Sequence, residues 1–243
     1  MLKPSSSLAL VAVLMMAGPT YLAAQESTPR QQPGAEITLY SPQQHDLYDG
    51  RFVLSAGGVH QVGRLDDAPG WDHIGNDAAG VHAVQGAVEI DVDEIANSGR
   101  FTARLSLPEG ELVVNMDRFH EFNPCQDGGI AAYLYEHGDS GCGDTNWPKT
   151  FLYVAGWGYG HATLNGEPLY EEYQVHFMVT QGMRDRQTLE VNYPLLNKRS
   201  SAGAVNPAMQ QLDFFIRSPE VDARNNPTRE VFDHFFAMEI TWK

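Results

Sequence analysis

Residues 110–182 read GELVVNMDRFHEFNPCQDGGIAAYLYEHGDSGCGDTNWPKTFLYVAGWGYGHATLNGEPLYEEYQVHFMVTQG, and this stretch decides the fold. Apolar and polar residues alternate along it in runs broken by Gly, Asn, Asp and Pro, as half-buried strands joined by turns do. In Tyr173–Gln181 the pattern puts Tyr173, Val175, Phe177 and Val179 on a core face, with His176 and Met178 on the opposite one. Leu112–Phe122 is a further long strand. No segment carries a sustained helical period.

Outward from this block the same signal recurs. Arg51–Ser55, Ala87–Val92, Arg100–Leu107, Thr188–Tyr193, Gln211–Arg217 and Val231–Trp242 read as strands, and Glu36–Tyr40 as a short one. Val88, Ile90 and Val92 alternate with Glu89, Asp91 and Asp93. The even-numbered residues of the last segment, from Phe232 to Trp242, are mostly apolar and predict a core strand. Residues 56–86 show neither period and read as a long loop carrying Trp71, Asp72, His73, Asp77 and His82. With roughly ten strands and no internal repeat, the expected fold is all-β, an antiparallel two-sheet sandwich of jelly-roll type.

The chain opens with Lys3, an apolar run from Leu8 to Gly18 and small residues at Ala23-Ala24, the layout of a secretory signal peptide over residues 1–24. Residues 25–34 are polar and proline-bearing, a disordered leader, so one domain is expected over 35–243 in the periplasm or outside the cell. The apolar run is too short for a membrane span. In an oxidising compartment the two cysteines, Cys125 and Cys142, are expected to bond. The formal net charge of -15 disfavours nucleic acid, which is bound through clustered cations.

Five chemistries are written in candidate residues. His120, His161, His176 and Met178 offer imidazole and thioether, a set that suits copper, and the expected function is a binding protein with a metal ligand. Calcium is a weaker candidate, through Glu89, Asp91 and Asp93 on one strand face. Trp157 and Tyr159, spaced by glycines, with Tyr170 nearby, suggest a turn presenting aromatic faces to a saccharide. Paired acids, Glu121 with Glu136 or Glu171 with Glu172, suit a glycosidase. Gly138–Gly141 is similar to the nucleophile loop of trypsin-like serine proteases, which would make Ser140 the nucleophile of a secreted hydrolase. That family's next residues and its histidine setting are absent, so binding is favoured over catalysis.

Overall fold

A computed structural model of the chain describes residues 49–62, 81–121, 129–142, 148–191, 205–217 and 232–243. Among them nine strands form one antiparallel sheet: β1 (Arg51–Val62), β2 (Val81–Asp93), β3 (Ser98–Leu107), β4 (Gly110–Phe119), β5 (Gly129–Glu136), β6 (Thr150–Leu164), β7 (Glu167–Gly182), β8 (Asn206–Arg217) and β9 (Phe232–Trp242). Their order is β4-β3-β2-β1-β9-β8-β7-β6, and β4 returns to pair with β6. The sheet is therefore a closed eight-stranded barrel, not the two-sheet sandwich that the alternation suggests. The ninth strand, β5, pairs with the first half of β6 on the edge that β4 occupies further along.

Closure depends on two of three closely spaced glycines. Gly156, Gly158 and Gly160 lie within strand β6 rather than in a turn. A Cβ on Gly158 would sit 2.0 Å from the Arg118 carbonyl oxygen, and one on Gly160 would sit 1.9 Å from that of Asn115. Both oxygens belong to β4, so the missing side chains let β4 approach β6 and shut the barrel.

The interior is packed with apolar side chains from every strand of the barrel. Leu54, Ile90, Phe101, Val114, Val154, Tyr173, Phe177, Leu212, Phe214 and Phe235 belong to one buried cluster. An eight-stranded barrel is just wide enough for side chains to fill it. The alternation of β2 stands as read, with Val88, Ile90 and Val92 inside and Glu89 and Asp91 outside. That polarity is the reverse of a barrel whose strands face lipid. No helix among the described residues is long and apolar enough to cross a membrane.

Several boundaries differ from expectation. β1 runs on to Val62 and β2 begins at Val81, so most of residues 56–86 that are described is strand, kinked at Gly57–Gly58. Trp71, Asp72, His73 and Asp77 lie outside the described residues, as do residues 1–34 and Glu36–Tyr40. Of the predicted strand Thr188–Tyr193, the described residues 188–191 contribute only an isolated bridge, Val191 to Arg184, and the rest lies outside the described residues. In β9 the barrel interior takes the odd positions Phe235 and Ala237, while Phe236 and Met238 are buried outside against Val62. Both faces of that strand are covered, so its apolar period alone does not assign them.

At the end of the barrel where β1 begins and β9 ends, closure passes from backbone to side chains. The β2–β3 turn reaches across to β5. Asn97 Nδ2 donates to the His120 carbonyl at 2.7 Å and its Oδ1 accepts from Ile130 N at 2.9 Å. Glu94 Oε1 accepts from Ala132 N at 3.0 Å. The turn itself is held by Glu94 N to Gly50 O and by Ala96 N to the Asp93 carboxylate.

Candidate functional site at the aromatic end of the barrel

Beside this seam the strand ends carry a circuit of aromatic rings. Phe52 lies 5.5 Å from Tyr133 and 6.2 Å from Trp242 between ring centroids. Trp242 lies 6.3 Å from Tyr153, Tyr153 is 5.2 Å from Phe151, and Phe151 closes the circuit 6.3 Å from Tyr133. Tyr135 adds a sixth ring, 5.5 Å from Phe151. Tyr133 and Tyr153 pack on the interior cluster while remaining only partly buried, and Trp242 is 38% exposed. With Phe52 buried at its base, the circuit leaves a contiguous, half-open aromatic surface over the filled barrel.

The strands place these rings for local reasons. Tyr135 is opposite Phe151 in the β5–β6 pair, and the register shift between Leu152 and Val154 bulges β6 at Tyr153. Tyr133 takes φ 53°, so β5 is irregular at the same level. A cleft of about 260 Å³ adjoins Tyr153, lined also by Arg186, Met209, Gln210, Met238 and Ile240. Gln210 Oε1 accepts from Trp242 Nε1 at 2.8 Å, which ties the cleft to the rings. Arg186 is exposed and donates to the Met238 carbonyl.

Glu94 stands under this surface. Burial pushes its carboxyl up to about 7, against the opposing bond from Ala132 N and with the neighbouring Asp93 charge adding to the rise. The Tyr133 hydroxyl is raised as well, first by burial and then by the Glu94 and Asp49 charges.

The predicted metal quartet lies elsewhere, on the outer wall. His120, Trp157, His176, Phe215 and His234 form a belt of rings running from the residue after β4 across β6, β7, β8 and β9, with centroid separations of 6.4, 4.5, 5.9 and 4.3 Å. Trp157 therefore stands between His120 and His176. His161 is exposed four residues along β6, about 13 Å from Trp157 at strand rise, and Met178 is buried two residues beyond His176. Among the described residues no group of three or more His, Cys, Asp or Glu side chains is arranged to hold a metal ion. The metal-binding expectation is corrected accordingly.

His176 and His234 are instead members of a buried wall. His176 Nδ1 bonds the Gly156 carbonyl at 3.0 Å, so it carries the proton and Nε2 has the lone pair. His234 Nε2 bonds Asp213 Oδ1 at 2.9 Å, and Gln211 Nε2 donates to Asp213 Oδ2 at 2.7 Å. Burial drives His176 down to about 3 and lowers His234 too, the Asp213 bond opposing in the second case. Both rings are neutral at neutral pH.

The remaining candidates have structural partners. Asp91 pairs with Arg51 at 3.1 Å and Glu89 with Lys243 at 3.7 Å, so two of the three carboxylates proposed for calcium are matched by cations along a groove of about 760 Å³. Ser140 is buried, its hydroxyl bonded to the backbone of Cys142 within its own turn. Cys142 is buried and is not a free thiol, but Cys125 lies outside the described residues and no bond between the two is drawn among them. Glu136 is buried with its carboxylate 3.9 Å from His137, while Glu121 is exposed and Glu172 pairs with Arg118. Tyr159 is half-buried under the Arg118 guanidinium, 4.9 Å from its centroid, and is flanked by His120. The side chain of Tyr170 is outside the described set.

Comparison with known protein families, with curated proteins and with solved structures gives no match. The site therefore rests on its own geometry. The signal for it was in the sequence: Tyr133-Leu-Tyr135 and Phe151-Leu-Tyr153 are two aromatic pairs at strand period on consecutive strands. Trp242 and Phe52 join only through the β1–β9 pairing, which puts Leu54 opposite Trp242.

Proposed function

We propose that this chain is a binding protein whose ligand is a neutral saccharide ring held at the aromatic end of the barrel. The observation that carries the reading is the half-open surface of Tyr133, Phe151, Tyr153 and Trp242, backed by the buried Phe52, beside a cleft edged by Gln210 and Arg186. Flat aromatic faces suit the C–H face of a sugar, and amide and guanidinium donors suit its hydroxyls. The net charge of -15 favours a neutral ligand over an anionic one. At about 260 Å³ the cleft is below the usual range of roughly 300 to 1,000 Å³ for small-molecule sites, which fits one ring rather than a long chain.

Tryptophan fluorescence titrated with a panel of neutral mono- and oligosaccharides tests this. A saturable change is expected, weakened at least about tenfold in Tyr153→Ala, as loss of a stacking ring worth about 1.4 kcal/mol requires. Trp157→Ala, on the outer wall, should leave the affinity unchanged. Saturable binding that is lost in Trp157→Ala but kept in Tyr153→Ala would move the site to the wall and defeat the proposal. So would silence across the whole panel.

A further inference from the structure

We propose that Glu94 is a proton-operated latch on the side-chain seam, keeping β5 closed over the aromatic end when protonated and releasing it when ionised. As regulation of the ligand site, this rests on the reading of the aromatic end as the place where ligand binds. The geometry carries it. Among the described residues no strand pairs with Ser98–Arg100 of β3 on the side away from β2, because β4 leaves β3 after Met116 to follow β6. The gap to β5 is bridged by two side chains, Asn97 to Ile130 N and the His120 carbonyl, and Glu94 to Ala132 N. Each bridge ends on a backbone amide of the strand that carries Tyr133 and Tyr135.

The two bridges differ in one respect: the amide of Asn97 does not titrate and the carboxyl of Glu94 does. Burial and the Asp93 charge disfavour ionisation of Glu94 and outweigh the bond from Ala132 N, which favours it. Asp93 precedes it on β2, Tyr133 of β5 interacts with it, and Asp49, ahead of β1, adds negative charge at Tyr133. Among the described residues its carboxylate accepts from Ala132 N and has no cation beside it. A carboxylate in this position gains by turning out to water, and the amide of Ala132 then loses its acceptor. The raised titration of Glu94, about 7, sets the pH at which this happens.

Amide hydrogen exchange at Ile130 and Ala132 tests the latch without any ligand. After correction for intrinsic rates, opening at these two amides should be at least about tenfold greater at about pH 8.5 than at about pH 5.5. Phe177 and Phe214, in the β7–β8 pair, should show no such change. Glu94→Gln keeps an acceptor for Ala132 N and should hold both amides closed at both pH values. Asn97→Ala should open them at both. Asp93→Asn removes the neighbouring charge and should move the midpoint of opening to lower pH, a check that stands even if Glu94→Gln does not fold. Equal protection of wild-type Ile130 and Ala132 at the two pH values would overturn the latch, as would a pH dependence retained in Glu94→Gln or a midpoint unmoved by Asp93→Asn. A chain that opens in this way yet binds no saccharide keeps the latch and loses only the ligand assignment.

Discussion

Gly158→Ala and Gly160→Ala each lower stability by more than about 3 kcal/mol, or abolish folding, while Gly57→Ala stays within about 0.5 kcal/mol of wild type. The difference lies in what the new methyl group meets. At Gly158 and Gly160 it meets a backbone carbonyl of β4 at 2.0 and 1.9 Å, and neither partner moves without breaking the β4–β6 pairing that closes the barrel. At Gly57 it meets the end of the Glu239 side chain at 3.4 Å, which has room to swing aside. Urea unfolding midpoints at one pH are the measurement. Tolerance of alanine at both positions in β6 would mean that β4 does not lie against it.

Wild-type stability falls as pH drops from 6.5 toward 3, and His176→Phe removes much of that fall. His176 has an ordinary value of 6.5 and is lowered by burial to about 3 in the folded chain. Below 6.5 the unfolded chain takes up a proton that the folded chain refuses, so this contribution is fully present above 6.5 and drains away toward 3. His234, also lowered, acts in the same direction. Phenylalanine continues the ring belt between Trp157 and Phe215 but gives up the bond to the Gly156 carbonyl, a loss of about 1 kcal/mol. His176→Phe is therefore expected to be about 1 kcal/mol less stable than wild type near pH 8 and of order 2 kcal/mol more stable near pH 4. Parallel stability curves for the two proteins across this range would show that His176 is not buried as a neutral ring. Glu94 acts with the opposite sign, since its value rises from 4.5 to about 7 and its stabilising share is lost as pH climbs through that window. Glu94→Gln should flatten that limb by up to about 2 kcal/mol, allowing for solvent screening.

Strand content was legible where period two survives, as in β7, whose Tyr173, Val175, Phe177 and Val179 face inward as their spacing implies. Topology was not, because a sandwich and a barrel write the same alternation. The choice turns on whether β4 meets β6, and that depends on the space left by glycines, which in sequence looks like a turn. The outer wall misled for a related reason. His176 and Met178 do share a face opposite the core, but that face is itself covered, so their parity signals a second buried layer and not an open ligand set. The aromatic end was only half legible. Its two Tyr/Phe pairs are visible at strand period, but their convergence with Phe52 and Trp242 depends on strands that are distant in the chain. Glu94 and Asn97 carry no motif at all, and their role appears only once β5 is placed opposite the β2–β3 turn.

The most direct test is a map of backbone amide and tryptophan indole NMR shifts in the full-length protein, recorded while the saccharide that gives the strongest fluorescence response is added. The account predicts that the perturbed signals cluster at Tyr133, Phe151, Tyr153, Gln210 and the Trp242 indole, at one end of the barrel. Perturbations confined to Trp157, Tyr159 and His120 on the outer wall would contradict it.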